Sequence, residues 1–210
     1  LPPQFAYQKD WRLFDLGNPE ALEYAKTTLS GLLKEWGVSI YRQDFNIDPS
    51  YFWLAHDRLN GPQRVGWAEM KHVEGLYALW GHLTATVPGL IIDNCASGGR
   101  RLDIELISRS VTLWRSDIAF ENNAQQAIAY GINHWLPYTG LGSQSPTPEA
   151  FRSGLGTSQT YVTSLYSPPG ADYWAQWRGQ IQKVNTAAPG HPYPFRLLFS
   201  EDFYPLSPYS

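Results

Sequence analysis

Three short apolar runs in this sequence each stop at a carboxylate. Val38–Tyr41 leads into Arg42-Gln43-Asp44. Gly89–Ile92 leads into Asp93-Asn94-Cys95-Ala96-Ser97-Gly98-Gly99, and Val111–Trp114 leads into Arg115-Ser116-Asp117. Buried-type strands that deliver polar groups at their C-terminal ends are the usual way an α/β protein assembles a site. Asp44 and Asp117 make the sharpest pair. Both follow the end of an expected strand, so they should share one face of a sheet and could face each other across a cleft. Two carboxylates flanking a bond can hydrolyse a glycoside. One must stay ionised to attack, and the other must hold a proton near neutral pH through desolvation or a like-charged neighbour. Each could equally be a helix N-cap or a loop salt-bridge partner.

Around Asp44 stand Arg42, Gln43 and Asn46. Arg42 could bind a sugar hydroxyl and favour the ionised carboxylate through its charge, or form a purely structural salt bridge. The loop from Cys95 to Gly99 carries little side-chain bulk, so a ligand could approach its backbone N–H groups. It lacks the spacing of a P-loop or a dinucleotide fingerprint and reads equally as a tight turn. Trp114 fits a core position or a sugar platform. His56, His72, His82, His134 and His191 are scattered without an HxH or HExxH pairing. Asp44, Asp93 and Asp117 remain a conceivable divalent-cation set. No metal site and no cofactor are expected, and no GxSxG elbow is present.

The elements that must position these residues follow from pattern and punctuation. Asn18-Pro19-Glu20 is a helix start, and Leu22, Ala25, Leu29, Leu32 and Leu33 carry that helix to about Trp36, where Gly37 stops it. A strand over 38–41 follows, then a long aromatic-rich loop after Asp44. A helix is expected over 67–86, a strand over 90–93, a helix near 102–108 and a strand over 111–114. Beyond lie a helix near 123–130 ended by Gly131, a strand over 132–136 and a loop over 137–148. A helix near 148–154, a strand near 159–165, a helix over 172–185 and a coil-like tail from Gly190 complete the chain. Five strands alternating with helices imply an α/β fold with a parallel sheet. Five strands cannot close an eight-stranded barrel, which takes about 250 residues. The chain is therefore a partial barrel or an open sheet, and open edges predict self-association.

Composition narrows the classes. The 210 residues suffice for one domain with a real core, and 43% hydrophobic against 17% charged residues describes a globular chain. The net charge of −3 gives no footprint for nucleic acid. No apolar run approaches the ~20 residues of a membrane span, and the first residues lack the basic start and apolar centre of a signal peptide. Cys95 is the single cysteine, which leaves the compartment open. Nine Trp, thirteen Tyr and nine Phe suit either a carbohydrate site or a large core.

At these residues the sequence resembles glycoside hydrolase family 36, the clan D α-galactosidases. Arg42-Gln43-Asp44-Phe45-Asn46 is similar to the family's K-W-D-M-N motif. Asn94 to Asp103 is similar to its C-x-S/G-G-G-G-R-x-D segment, and Trp114-Arg115-Ser116-Asp117 to its W-T-S-D. Leu16–Glu20 and Asp202–Leu206 resemble flanking L-x-x-P-E and G-D-Y-Y-P-L segments, so the likeness covers nearly the whole chain. It implies a retaining α-glycosidase, with Asp44 as nucleophile and Asp117 as acid/base. It also implies a single partial TIM barrel over residues 1–210, about strands 4–8 of a (β/α)8 barrel. Arg42, Asn46, Cys95, Ser97, Gly98, Gly99, Arg101 and Trp114 would bind an α-linked galactoside, Arg42 taking the family lysine's place. Arg42 and Gln43 replace Lys and Trp, Arg100 stands where glycine is usual, and Phe120 replaces an expected Asp. The first strands of such a barrel have no counterpart in the sequence, which points to a homo-oligomer completing the barrel, or to a sugar-binding fragment without turnover.

Overall fold

In the computed structural model, which describes residues 13–118, 121–132, 136, 140–143, 145–154, 158–161 and 171–187, the first helix starts where its cap dictates. The Asn18 side chain accepts the backbone N–H groups of Glu20 and Ala21 at 2.9 and 3.4 Å, Pro19 occupies the first helical position, and α1 runs Pro19–Glu35. Gly37, at φ 63°, turns the chain out of it. Two compact units follow from the chain's contacts. The first holds residues up to Asp93 together with Asp103–Ser110, and the second holds Asn94–Leu102 together with residues from Val111 onward.

In the first unit, α1 lies against the long helix α3 (Trp67–Thr86). Ala25 and Leu33 of α1 meet Leu76, Leu79, Trp80 and Leu83 of α3, joined by Leu16, Val87, Leu90, Ile92 and Leu106. Each such large side chain taken from water contributes about 2 kcal/mol. Gly75 permits the closest approach, because a Cβ there would fall 2.0 Å from the Leu16 carbonyl oxygen. Strand β1 (Ile40–Gln43) pairs with β2 (Ile91–Asn94), and at the start of β2 the Ile91 N–H donates to the carbonyl of Ser39, the residue before β1, at 3.0 Å. Helix α4 (Ile104–Arg109) is capped by Asp103, which accepts the Leu106 N–H at 3.0 Å, and α4 packs on α3.

The loop expected after Asp44 contains a helix, α2 (Ser50–Leu59), and a 3-10 turn over Pro62–Arg64. Pro49 reads as a breaker but stands at the N-cap, where proline is tolerated. Asp48 accepts both the N–H and the hydroxyl of Ser50, at 3.0 and 2.7 Å. One turn before its end, α2 buries Asp57 (1% exposed), whose carboxylate accepts Gly66 N–H at 2.7 Å and Ala68 N–H at 3.0 Å. Thus α2 supplies the cap that α3 lacks locally.

In the second unit, α5 (Asn122–Ile132) packs on α6 (Pro148–Ser153), with Gln126 donating to the Ser153 hydroxyl at 2.8 Å. Thr147 caps α6. Strands β3 (Gly140–Ser143) and β4 (Ser158–Tyr161) pair in parallel, Gly140 opposite Ser158. Helix α7 (Ala171–Ala187) sets Trp177 5.9 Å from the Phe151 ring.

Several expectations need correction. The described residues hold four strands in two pairs, not five. Val111–Trp114 is not a strand: the Val111 carbonyl accepts the Asn94 N–H at 2.8 Å, and past Thr112 the chain leaves the ladder. The glycine loop described below packs directly on Arg115–Asp117. Helix α5 runs through Gly131, and Ile132 closes it rather than opening a strand. Leu136 N–H bonds the Ile132 carbonyl at 2.8 Å, and 133–135 lie outside the described residues. The 137–148 loop contains β3. The start of the last expected strand is found as β4, while 162–165 and the tail from Gly190 lie outside the described residues. No described helix is long and apolar enough to cross a membrane.

Candidate active site

The strand β1 sorts its side chains by period two. Gln43 points toward α3, where its Oε1 accepts the Trp80 indole N–H at 2.7 Å. Trp80 is fully buried, so this bond fixes the end of β1 to the core. Arg42 and Asp44 therefore share the opposite side. The Arg42 guanidinium meets two carboxylates there, with Nη1 2.5 Å from Asp93 Oδ2 and Nη2 3.8 Å from Asp44 Oδ2. Asp93 is buried at 4% exposed and sits on β2, whereas Asp44 is exposed, its Oδ1 accepting the Phe45 N–H at 2.7 Å. Asn46 follows, also exposed.

Asp117 belongs to the second unit, and its surroundings are built by the glycine loop. Asn94 is buried and donates from its side chain to the Arg101 carbonyl at 2.7 Å, while Arg101 donates back to the Cys95 carbonyl. These two bonds close the loop as a ring. Within it Ser97 and Gly98 take φ of 45° and 78°, so the chain reverses with left-handed backbone at two consecutive residues. A Cβ on Gly98 would fall 2.9 Å from Ser116 Cα and 3.0 Å from Asp117 N. One on Gly99 would fall 2.5 Å from the Arg115 carbonyl oxygen. The glycines thus bring the loop's backbone onto the backbone that carries Asp117. Trp114 donates its indole N–H to Asp117 Oδ1 at 2.9 Å, and the Ser116 hydroxyl accepts the Ile118 N–H at 3.1 Å.

The expected site residues therefore fall into two groups. Arg42, Asp44 and Asn46 gather at the end of β1. Cys95, Ser97, Gly98, Gly99, Arg101 and Trp114 surround or support Asp117. Cys95 is buried and forms no disulfide, and the Trp114 indole N–H is taken up by Asp117. Among the described residues no group of three or more His, Cys, Asp or Glu side chains is placed to hold a metal ion. Two partners were not legible as site residues: Gln43, tied to α3, and Asp93, weighed only as a possible metal ligand. Asp93 carries a signal of its own, for it ends an apolar run as Asp44 does.

The Melibiase family model matches residues 5–162. Alpha-galactosidase 1 of Pediococcus pentosaceus is 26% identical over 155 residues, covering 72% of this chain and 21% of that protein. Among solved structures, the α-galactosidase of Lactobacillus brevis superposes with a TM-score of 0.66 at 18% identity, over 82% of this chain and 24% of that one. A Geobacillus stearothermophilus α-galactosidase of glycoside hydrolase family 36, solved with stachyose, gives 0.67 at 15% identity, over 87% and 29%. This chain thus spans between a fifth and a third of the relatives named here. With a match that runs over well more than half of its length, the chain belongs to the Melibiase family and is a partial, α-galactosidase-like member of it.

Proposed function

We propose that this chain carries the reacting carboxylates of a retaining glycosidase acting on α-galactosides. The observation that supports the reading best is the pairing of motif with geometry at Asp44. It is an exposed carboxylate at the end of a strand locked to the core by Gln43, with a guanidinium beside it. In this reading Asp44 attacks the anomeric carbon and forms a glycosyl-enzyme, while Asp117 protonates the departing oxygen and then deprotonates the incoming water. Retention needs the two carboxyl groups ~5–5.5 Å apart. Arg42, Asn46, Cys95, Ser97, Gly98, Gly99, Arg101 and Trp114 line the sugar subsite in the same proposal. The relatives' substrates make raffinose-type oligosaccharides the natural candidates, since another Geobacillus structure was solved with raffinose.

In this proposal residues 1–210 belong to one catalytic domain, corresponding to about strands 4–8 of a (β/α)8 barrel. The test is hydrolysis of an aryl α-galactoside. Asp44→Ala should abolish turnover, and an active Asp44→Ala variant would sink the assignment. Sugar binding without turnover in the parent chain would instead identify a binding fragment.

A further inference from the structure

We propose that Asp93 is a positioning residue that takes one arm of the Arg42 guanidinium, so that the other arm forms a longer ion pair with the Asp44 carboxylate, at 3.8 Å and beyond hydrogen-bond reach. The inference rests on the glycosidase reading for its consequence but on geometry for its substance. The two contacts of Arg42 differ in kind. At 2.5 Å the Asp93 contact is a charge-assisted hydrogen bond, whereas at 3.8 Å the Asp44 contact is an ion pair beyond hydrogen-bond reach.

Burial explains which carboxylate holds the cation. Asp93 is removed from water and needs a matched charge, while Asp44 is exposed to solvent. Without Asp93, the planar fork of Arg42 would be free to close on Asp44 and engage both of its oxygens. A nucleophile bound in that way has both oxygens engaged and its charge partly neutralised, so it attacks more weakly. Held as it is, Arg42 lends its field to Asp44 and keeps its N–H groups off the attacking oxygen. The same division of labour accounts for arginine where the family's motif has lysine. A lysine offers one nitrogen, but serving two carboxylates at two different distances takes two nitrogens at a fixed separation.

The experiment is a double-mutant cycle of Asp93→Asn and Arg42→Gln, read in kcat and KM for an aryl α-galactoside. Asp93→Asn should lower kcat by roughly tenfold with KM little changed, and should cost nothing further in the Arg42→Gln background. An equal loss in both backgrounds would mean that Asp93 acts through general stability and would overturn the proposal. Should Asp93→Asn not fold, Asp93→Glu keeps the charge and displaces it by one methylene. A lowered kcat at an unchanged unfolding midpoint supports the proposal, and a wild-type kcat overturns it. If the parent chain shows no turnover, the glycosidase reading has failed. Nitrogen-15 NMR of the Arg42 guanidinium then decides: N–H signals held rigid in the parent and averaged by rotation in Asp93→Asn support Asp93 as its positioner, and equal mobility in both overturns it.

Discussion

At the residue scale, the candidate site depends on a few atoms that have no room to move. Gly98 is the clearest case. Its φ of 78° suits glycine, and an added Cβ would press on the backbone of Ser116 and Asp117. Gly98→Ala should therefore displace Asp117 and reduce kcat by on the order of 100-fold, the scale set by ångström misplacement of a reacting group. Steady-state kinetics on an aryl α-galactoside checks this, with circular dichroism confirming that the chain still folds. The residues that carry chemistry were legible because their types and order form motifs: Asp44, Asp117 and the glycines are visible without coordinates. Their supports were not. The Trp80 indole reaches Gln43 across 37 residues and Arg42 reaches Asp93 across 51, and nothing local in the sequence announces either bond.

At the element scale, helices were read better than strands for a physical reason. Caps are local chemistry, so Asn18 before α1 and Thr147 before α6 announce themselves. Strands of four residues carry little periodicity, so β1 and β2 shift by one or two residues and Val111–Trp114 dissolves into a bridged segment. Helix α2 was hidden by its aromatic run and by a proline that turns out to stand at its start. Its stabilising role is specific. Asp57→Ala should destabilise the first unit by about 1–3 kcal/mol, because it strips two N–H groups at the start of α3 of their acceptor. Urea unfolding measures that loss. Helix α3 also holds Tyr77, whose hydroxyl is pushed above its ordinary pKa of 10.0, first by burial and then by Asp103 and Glu105, against the pull of Arg109. A raised folded-state pKa means that the folded chain keeps the proton longer than the unfolded one. The associated stability is full below pH ~10 and drains as pH rises through the folded value. The urea midpoint should fall between pH 9 and pH 11, and Tyr77→Phe should blunt that fall.

At the scale of the whole molecule, the question is what covers the strand pair β1–β2. Ile40 and Ile91 are 50% and 47% exposed, leaving apolar surface on paired strands. The self-association expected from open strand edges would cover that surface with a second copy of the chain. Light scattering should give a mass above the 23.8 kDa of one chain, rising with concentration. A strict monomer at every concentration counts against a second copy. The family motifs made an α-galactosidase-like fragment legible in the sequence. The sequence did not make legible the division into two units, which falls within β2 between Asp93 and Asn94.

Cys95 gives the chain one further property. It is the single sulfhydryl in 210 residues and is 2% exposed, within the loop tied by Asn94 and Arg101. An alkylating reagent reaches that sulfur only when the structure around it opens. The rate at which the chain takes up one label is thus a clock for that opening, running without any engineered reporter.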